Sequence, residues 1–563
     1  GSRAEDCFLL LGKFFHISCV YFFVHARRRI HLPHQNGIAM EKCPVFFMAL
    51  LAALACSRLE SDDPYASLGL TYGKNLSHDE ICLGGKLENP YKTINIQKAC
   101  ESLYPTRARV PVETTDLYVR FLPADDEEFA ALEALGLDLV DHPVDYEIIR
   151  DGDWYHDPTL PEEAITWQYS LVPKDFDFPD IRYEILDECY LHEHAASTKA
   201  AEGVAWAEVE RRAYEISGNA SLLAPRTRSG EESVPSGRIT LIDPDADGGK
   251  PVGVEGVRIF CNSFIRFDTA VTDRDGWYSM KKGFSSEVNY RMVFKNDAGF
   301  SIGFNLLLVP ASVSTLGKAG PEGVNMTVTS DSEHKLYTRC VVNKAARDYI
   351  RRCGEDDMDL VAPPDDIRIW IFNKLNASSC IMMHHGAVID QGRIAAFLGS
   401  WSVLVKIFAP DITVGTAAAD SFSDIYSTTT HEMAHSSHYA QAGNGFWDDY
   451  IYYILESFVR QGDCYGDGSS EMAGLCELGE GWAYHIESKI YQQRYGGAYP
   501  SFGCGYWFKP QIFRYLDERG ISPSEQLEAM EEDVRTRDAF RDRLVQMYPS
   551  RRRVVEQVFN RYN

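Results

Sequence analysis

The sequence predicts a multidomain α+β protein, and three observations lead there. Its 563 residues exceed what one hydrophobic core can serve. Short strand-like runs separated by turn residues fill the middle of the chain. Helix-like runs dominate its last quarter, so strands and helices are segregated rather than alternating.

The elements fall into three blocks. In residues 57–225, Asp116-Leu117-Tyr118-Val119-Arg120-Phe121-Leu122 reads as a strand, 126–135 as a helix with an acidic first turn, 137–149 as a returning strand and 202–216 as a second helix. This predicts an N-terminal α/β module whose role is a scaffold or a pro-segment-like cover for a cleft. A polar stretch from Ser217 to Ser233 follows. Residues 236–306 then hold short alternating runs from Gly237, Val252 and Ala270, with an Asp275-Gly276 turn, which predicts a small antiparallel β-sandwich. In residues 307–563, strands are expected at 367–372, 381–385 and 404–408, and C-terminal helices at 510–518, 523–532 and 537–547.

Within this last block lies Thr430-His431-Glu432-Met433-Ala434-His435, on an amphipathic stretch that starts after Ser423 and Asp424 and stops at Gly443. On a helix, positions i and i+4 share a face. His431 and His435 can therefore hold one Zn²⁺ while Glu432 reaches its bound water as general base. Such a site needs a third protein ligand. His438, seven residues past His431, is about 10 Å along the helix axis and too far away. Two glutamates compete: Glu456, 21 residues after His435, and Glu480, 45 residues after it. His384 and His385 are read as structural.

Gly479-Glu480-Gly481-Trp482-Ala483 resembles the run around the ligand glutamate of gluzincin metallopeptidases. That resemblance selects Glu480 and implies an inserted loop between the two metal-bearing helices. The wider pattern, Pro410-Asp411-Ile412, then His431 to His438, then Asn444-Gly445-Phe446-Trp447, resembles a group of secreted bacterial zinc metallopeptidase lipoproteins. The two resemblances imply a zincin-like C-terminal domain and one catalytic zinc ion, and the zincin layout, in which a strand beside the metal helix pairs with an extended peptide, implies a peptide or protein substrate. The class commonly uses Tyr or His as oxyanion donor, and Tyr484, His485, Tyr491 and Tyr506 are candidates. The 236–306 block looks like a carboxypeptidase-regulatory-like domain. A different class of function, a non-catalytic surface lipoprotein binding glycan or protein through a zincin-like fold, predicts loss of the base, and Glu432 is present.

The first methionine is Met40; residues 1–39 are read as an upstream segment. From Met40, Glu41-Lys42, an apolar run to Ala55 and then Cys56 look like a bacterial lipoprotein signal, which predicts export and a lipid anchor on Cys56 in the envelope or at the surface of a Gram-negative cell. A formal net charge of −26 argues against nucleic-acid binding. Ten cysteines follow Cys56, and export permits pairs such as Cys82/Cys100, Cys340/Cys353 and Cys464/Cys476.

Overall fold

A strand whose two faces are both apolar needs cover on both sides, and Asp116–Leu122 is such a strand. Val119 and Phe121 pack with Leu132 and Val172, while Tyr118 packs on the opposite face with Trp167 and Tyr169. It is the middle strand of an antiparallel sheet, flanked by Gln168–Pro173 and Arg182–Cys189. The computed structural model describes residues 80–562 apart from 106–109, 111, 162–163, 197–200, 225–231, 305–312, 355–357, 373–377, 388–409, 418, 420 and 498–505. The expected leader, Cys56 and the expected strand 404–408 lie outside the described residues.

The helix Asp126–Ala134 follows, its first turn closed by the Asp125 carboxylate accepting from the Glu128 amide. The expected strand at 137–149 does not form as one element. Pro143 and the buried pair His142 and Asp145 interrupt it, leaving a single bridge from Val140 to Tyr169. Only Tyr146–Arg150 is strand, and it pairs with Cys82–Lys86 in a separate ribbon. The helix expected at 202–216 starts at Trp206. The module is therefore an antiparallel α+β unit rather than a β-α-β one.

The sandwich has two four-stranded sheets. In one, Ser236–Ile242 is flanked by Trp277–Ser279 and Met326–Val328 and also pairs Pro251–Gly253; the other runs Val313–Ala319, Val288–Val293, Arg258–Ser263, Arg266–Val271. Ile239 and Leu241 from the first sheet and Ile259, Tyr290 and Met292 from the second share one core. Gly276, at φ +82°, makes the expected turn; a Cβ there would stand 2.0 Å from the Ile239 carbonyl oxygen.

Module and sandwich are joined by both apolar and ionic contacts. Phe260, Phe264, Ile265 and Phe267 complete the cluster around Tyr118, Trp167 and Tyr214. Arg266 is buried among Glu193, Glu210 and Glu232 at 3.0–3.2 Å. Arg291 pairs with Asp151 at 2.8 Å. Arg339, 1% exposed, pairs with Asp153 at 3.1 Å and donates to Ser314 at 2.6 Å. The module is thus fastened to the rest of the chain by buried contacts. Arg339→Met leaves the Asp153 carboxylate without its buried partner, and equilibrium denaturation is expected to read a loss of about 3 kcal/mol.

A further, five-stranded sheet lies beside the helix that carries His431 and His435. Its order is Lys295–Asn296, Phe300–Phe304, Ile367–Phe372, Ile412–Gly415, Ser379–Cys380, with the three central strands parallel and the outer two antiparallel to their neighbours. All six residues of Ile367–Phe372 are buried, as a strand with both faces covered requires. The expected strand at 381–385 is displaced: pairing ends at Cys380, and Met382, at φ +52°, turns the chain. The expected boundary at residue 307 is also corrected. Phe300–Phe304 already belongs to this sheet, whereas Val313–Ala319 and Met326–Val328 return to the sandwich. Apolar residues of the two blocks form one continuous core, so no break in hydrophobicity marks the crossing.

Helices His334–Cys353 and Phe422–Gln461 pack on this sheet and Ala473–Tyr495 packs on the second of them, followed by Gln511–Glu518, Pro523–Glu528, Arg537–Met547 and Arg552–Asn560. All nine described cysteines are free thiols, so none of the three suggested pairs forms. Cys340 and Cys353 share one helix, and thirteen residues at 1.5 Å each keep them about 20 Å apart.

Candidate metal centre

The helix that bears the histidines begins with the Ser421 hydroxyl accepting from the Asp424 amide at 3.1 Å. At Gly443, φ +76° and ψ 177° break the hydrogen-bond ladder where a stop is expected. The chain then resumes as helix to Gln461 and ends on left-handed Gly462. His431 and His435 lie one above the other with ring centroids 4.9 Å apart.

Glu480 comes from the facing helix Ala473–Tyr495. Its Oε2 lies 3.5 Å from His431 Nε2 and its Oε1 3.6 Å from His435 Nε2. One ligand atom from each of the three residues lies within 4.8 Å of the others, and all three residues are buried. Ligands about 2.05 Å from a tetrahedral zinc ion sit roughly 3.3 Å apart, and the contact of Oε2 with His431 is close to that spacing. Glu480 Oε2 accepts no hydrogen bond although it is buried, as a donor atom awaiting a cation does. Two imidazoles and a carboxylate suit Zn²⁺, and the residues present fit the ion.

The pattern around Glu480 has a packing reason. Trp482 is fully buried and donates from Nε1 to the Ala434 carbonyl at 3.0 Å, tying the two metal-site helices together beside His435. A Cβ on Gly481 would stand 2.7 Å from the Phe513 ring. Glu456, the competing ligand, lies outside the triangle and pairs with Arg460 at 2.7 Å.

Several partners escaped sequence reasoning. Glu487 approaches His431 Nδ1 at 3.1 Å and accepts from the Ser427 hydroxyl at 2.5 Å. Such a carboxylate orients a ligand imidazole with its Nε2 lone pair toward the metal. The available signal was spacing, since Glu487 lies two helical turns after Glu480 and on the same face. Tyr450 donates to Glu480 Oε1 at 2.5 Å, and nothing in the sequence marks it.

Charge in this pocket is strongly coupled. Burial drives the Glu432 carboxyl up to about 8, aided by Glu480 and Glu487 against the opposing pull of His431. Burial pushes His435 down to about 3. For His431 burial works the same way, but Glu480 and Glu487 outweigh it and raise its pKa. Glu480 stays below the usual carboxylate range because His435 and His431 overcome its desolvation. A dication in the triangle would offset the negative charge gathered there.

The other sequence candidates separate clearly. The Tyr484 ring lies 4.7 Å from that of His431, and its hydroxyl is 3.4 Å from Tyr465 and 3.3 Å from Tyr506. Burial and Glu480 raise its pKa, keeping it a donor. His485 faces Asp517 at 3.4 Å, and Tyr491 packs on Tyr495 with centroids 4.7 Å apart. His438 is fully buried between Phe446 and Trp447, away from any cleft. His384 bonds Asp366 at 2.9 Å, and His385 pairs with the buried Asp411 at 3.0 Å, and neither belongs to the triangle.

No family model matches the chain, and no curated protein matches it. Among solved structures, the crystal structure of (S)-allantoin synthase aligns at 17% identity over 22% of this chain and 47% of its own, with a TM-score of 0.12. The chain spans about half the length of that structure, and a likeness this slight carries no argument. No described helix is long and apolar enough to cross a membrane.

Proposed function

We propose that this protein is a zinc metallopeptidase, exported and held to a membrane by a lipid on Cys56. The observation that carries the catalytic reading is the convergence of His431, His435 and Glu480 with Glu432 next to the first of them. The compartment rests on the run from Met40 to Cys56 alone.

His431, His435 and Glu480 hold the ion, and Glu487 fixes the tautomer of His431. Zinc held by these residues would supply Lewis-acid chemistry, lowering the pKa of water to about 7. Glu432, off the metal, accepts the proton of the attacking water and passes it to the leaving amine. Tyr484 is the tyrosine whose ring stands against the triangle, and its hydroxyl donates to the developing oxyanion. Among the described residues Ser379–Cys380 is the last strand of the sheet on this side, and its edge is the one that would take an extended peptide.

The test is to load the mature chain with zinc, incubate it with a mixed peptide library and map the cuts by mass spectrometry. Internal or terminal cuts are expected, lost on chelation and restored by added zinc. A zinc-loaded protein that cuts no peptide bond would sink the peptidase reading.

A further inference from the structure

The two oxygens of the Glu480 carboxylate have unlike surroundings. Oε1 accepts the Tyr450 hydroxyl at 2.5 Å, whereas Oε2 accepts nothing. Tyr450 reaches that far because Gly443 breaks the metal helix. Beyond the break, Trp447, Tyr450 and Tyr453 recur every third residue and are all buried. The Tyr450 ring also lies against the backbone of the facing helix, where a Cβ on Gly479 would stand 3.3 Å from its Cζ. A glycine immediately before the metal ligand therefore gives this ring room to approach.

A carboxylate can bind zinc through one oxygen or both. One-oxygen binding leaves four-coordinate zinc a place for water, and two-oxygen binding fills it. A buried, charge-assisted hydrogen bond to Oε1 draws negative charge onto that atom and resists its turning toward the ion, because the turn would strand a buried hydroxyl.

We propose that Tyr450 is a positioning residue that restricts Glu480 to metal binding through Oε2, keeping the remaining coordination position open. The proposal rests on the metal-site reading above. It predicts that loss of one hydroxyl, which bears on the metal only through Glu480, changes coordination number rather than metal content.

The test uses Co²⁺ in place of zinc, because its visible spectrum reports coordination number, with the full mature chain and its Tyr450→Phe variant. The Phe ring keeps the packing against Gly479. The variant is expected to hold Co²⁺ against a chelator as wild type does and to lose absorption intensity as coordination rises from four to five. With zinc, kcat is expected to fall about 10- to 100-fold at unchanged KM. Gly479→Ala, which shifts the ring by a few tenths of an ångström, should give the same spectral change in smaller measure. An unchanged cobalt spectrum in Tyr450→Phe overturns the proposal. So does loss of metal in step with activity, which would make Tyr450 a mere support for its ligand. Wild-type protein that takes up no Co²⁺ overturns the metal site itself, and the proposal with it.

Discussion

Glu432→Gln is expected to keep about one zinc per chain and to lose turnover by roughly 10²- to 10⁴-fold, the range that general-base catalysis contributes. Glutamine matches the shape of glutamate, so the buried site should not rearrange, but it cannot take a proton. The metal should remain because, among the described residues, the triangle is formed by His431, His435 and Glu480, and Glu432 is not one of them. Metal content by atomic absorption and cleavage rate on one peptide check both halves. The metal-free protein adds an independent readout. Burial raises Glu432 to about 8, above its value in the unfolded chain, so the folded form holds that proton more tightly. Stability tied to it is present at low pH and is lost as pH climbs from about 4.5 to about 8. Metal-free Glu432→Gln lacks this titration and should melt higher than metal-free wild type at pH 8, with the gap closing toward pH 4. Full turnover in the Gln variant would mean that another group serves as base.

Glu480→Ala has the second largest expected effect. Zinc in four-ligand protein sites is held by about 10–16 kcal/mol, so one ligand is worth roughly 3–4 kcal/mol and its loss weakens binding by two to three decades. Competition with a chromogenic chelator reads this directly. The Ala variant also leaves His431 and His435 without the carboxylate 3.5 and 3.6 Å away, so the loss should sit at the top of that range. Glu456→Ala is the matched control. It removes only a partner of Arg460 at the outer side of the helix and should leave zinc affinity within error. If zinc were lost with Glu456→Ala and kept with Glu480→Ala, the triangle described above would not be the binding site.

What was legible in the sequence was mostly local. His431, Glu432 and His435 are fixed relative to one another by one helical turn, and strands such as Asp116–Leu122 and Ile367–Phe372 follow from patterns a few residues long. Glu480 was legible through its small and aromatic neighbours, whose physical basis is the Trp482 tie and the Phe513 contact. Features that depend on tertiary direction were not. The path that takes Tyr450 to Glu480 is set by one glycine's dihedral angles, which its identity permits but does not dictate. The run at 137–149 has strand-like composition, yet burial of His142 and Asp145 decides its course. The misplaced boundary at 307 arose because strands on both sides of it are equally apolar, and sheet membership depends on pairing with residues 239–241 and 367–371.

That crossing of strands bears on how the molecule could be shortened. A fragment beginning at residue 307 would forfeit Phe300–Phe304, baring the long edge of Ile367–Phe372, and would carry Met326–Val328 and Val313–Ala319 without the strands they zip onto. Three raw β-edges on one chain invite self-association. A cut upstream of Ser236 keeps these sheets whole but strips the buried Arg266, Arg291 and Arg339 of their carboxylate partners, so module, sandwich and the helices that carry the His431–His435–Glu480 triangle would have to be inherited, expressed or grafted together.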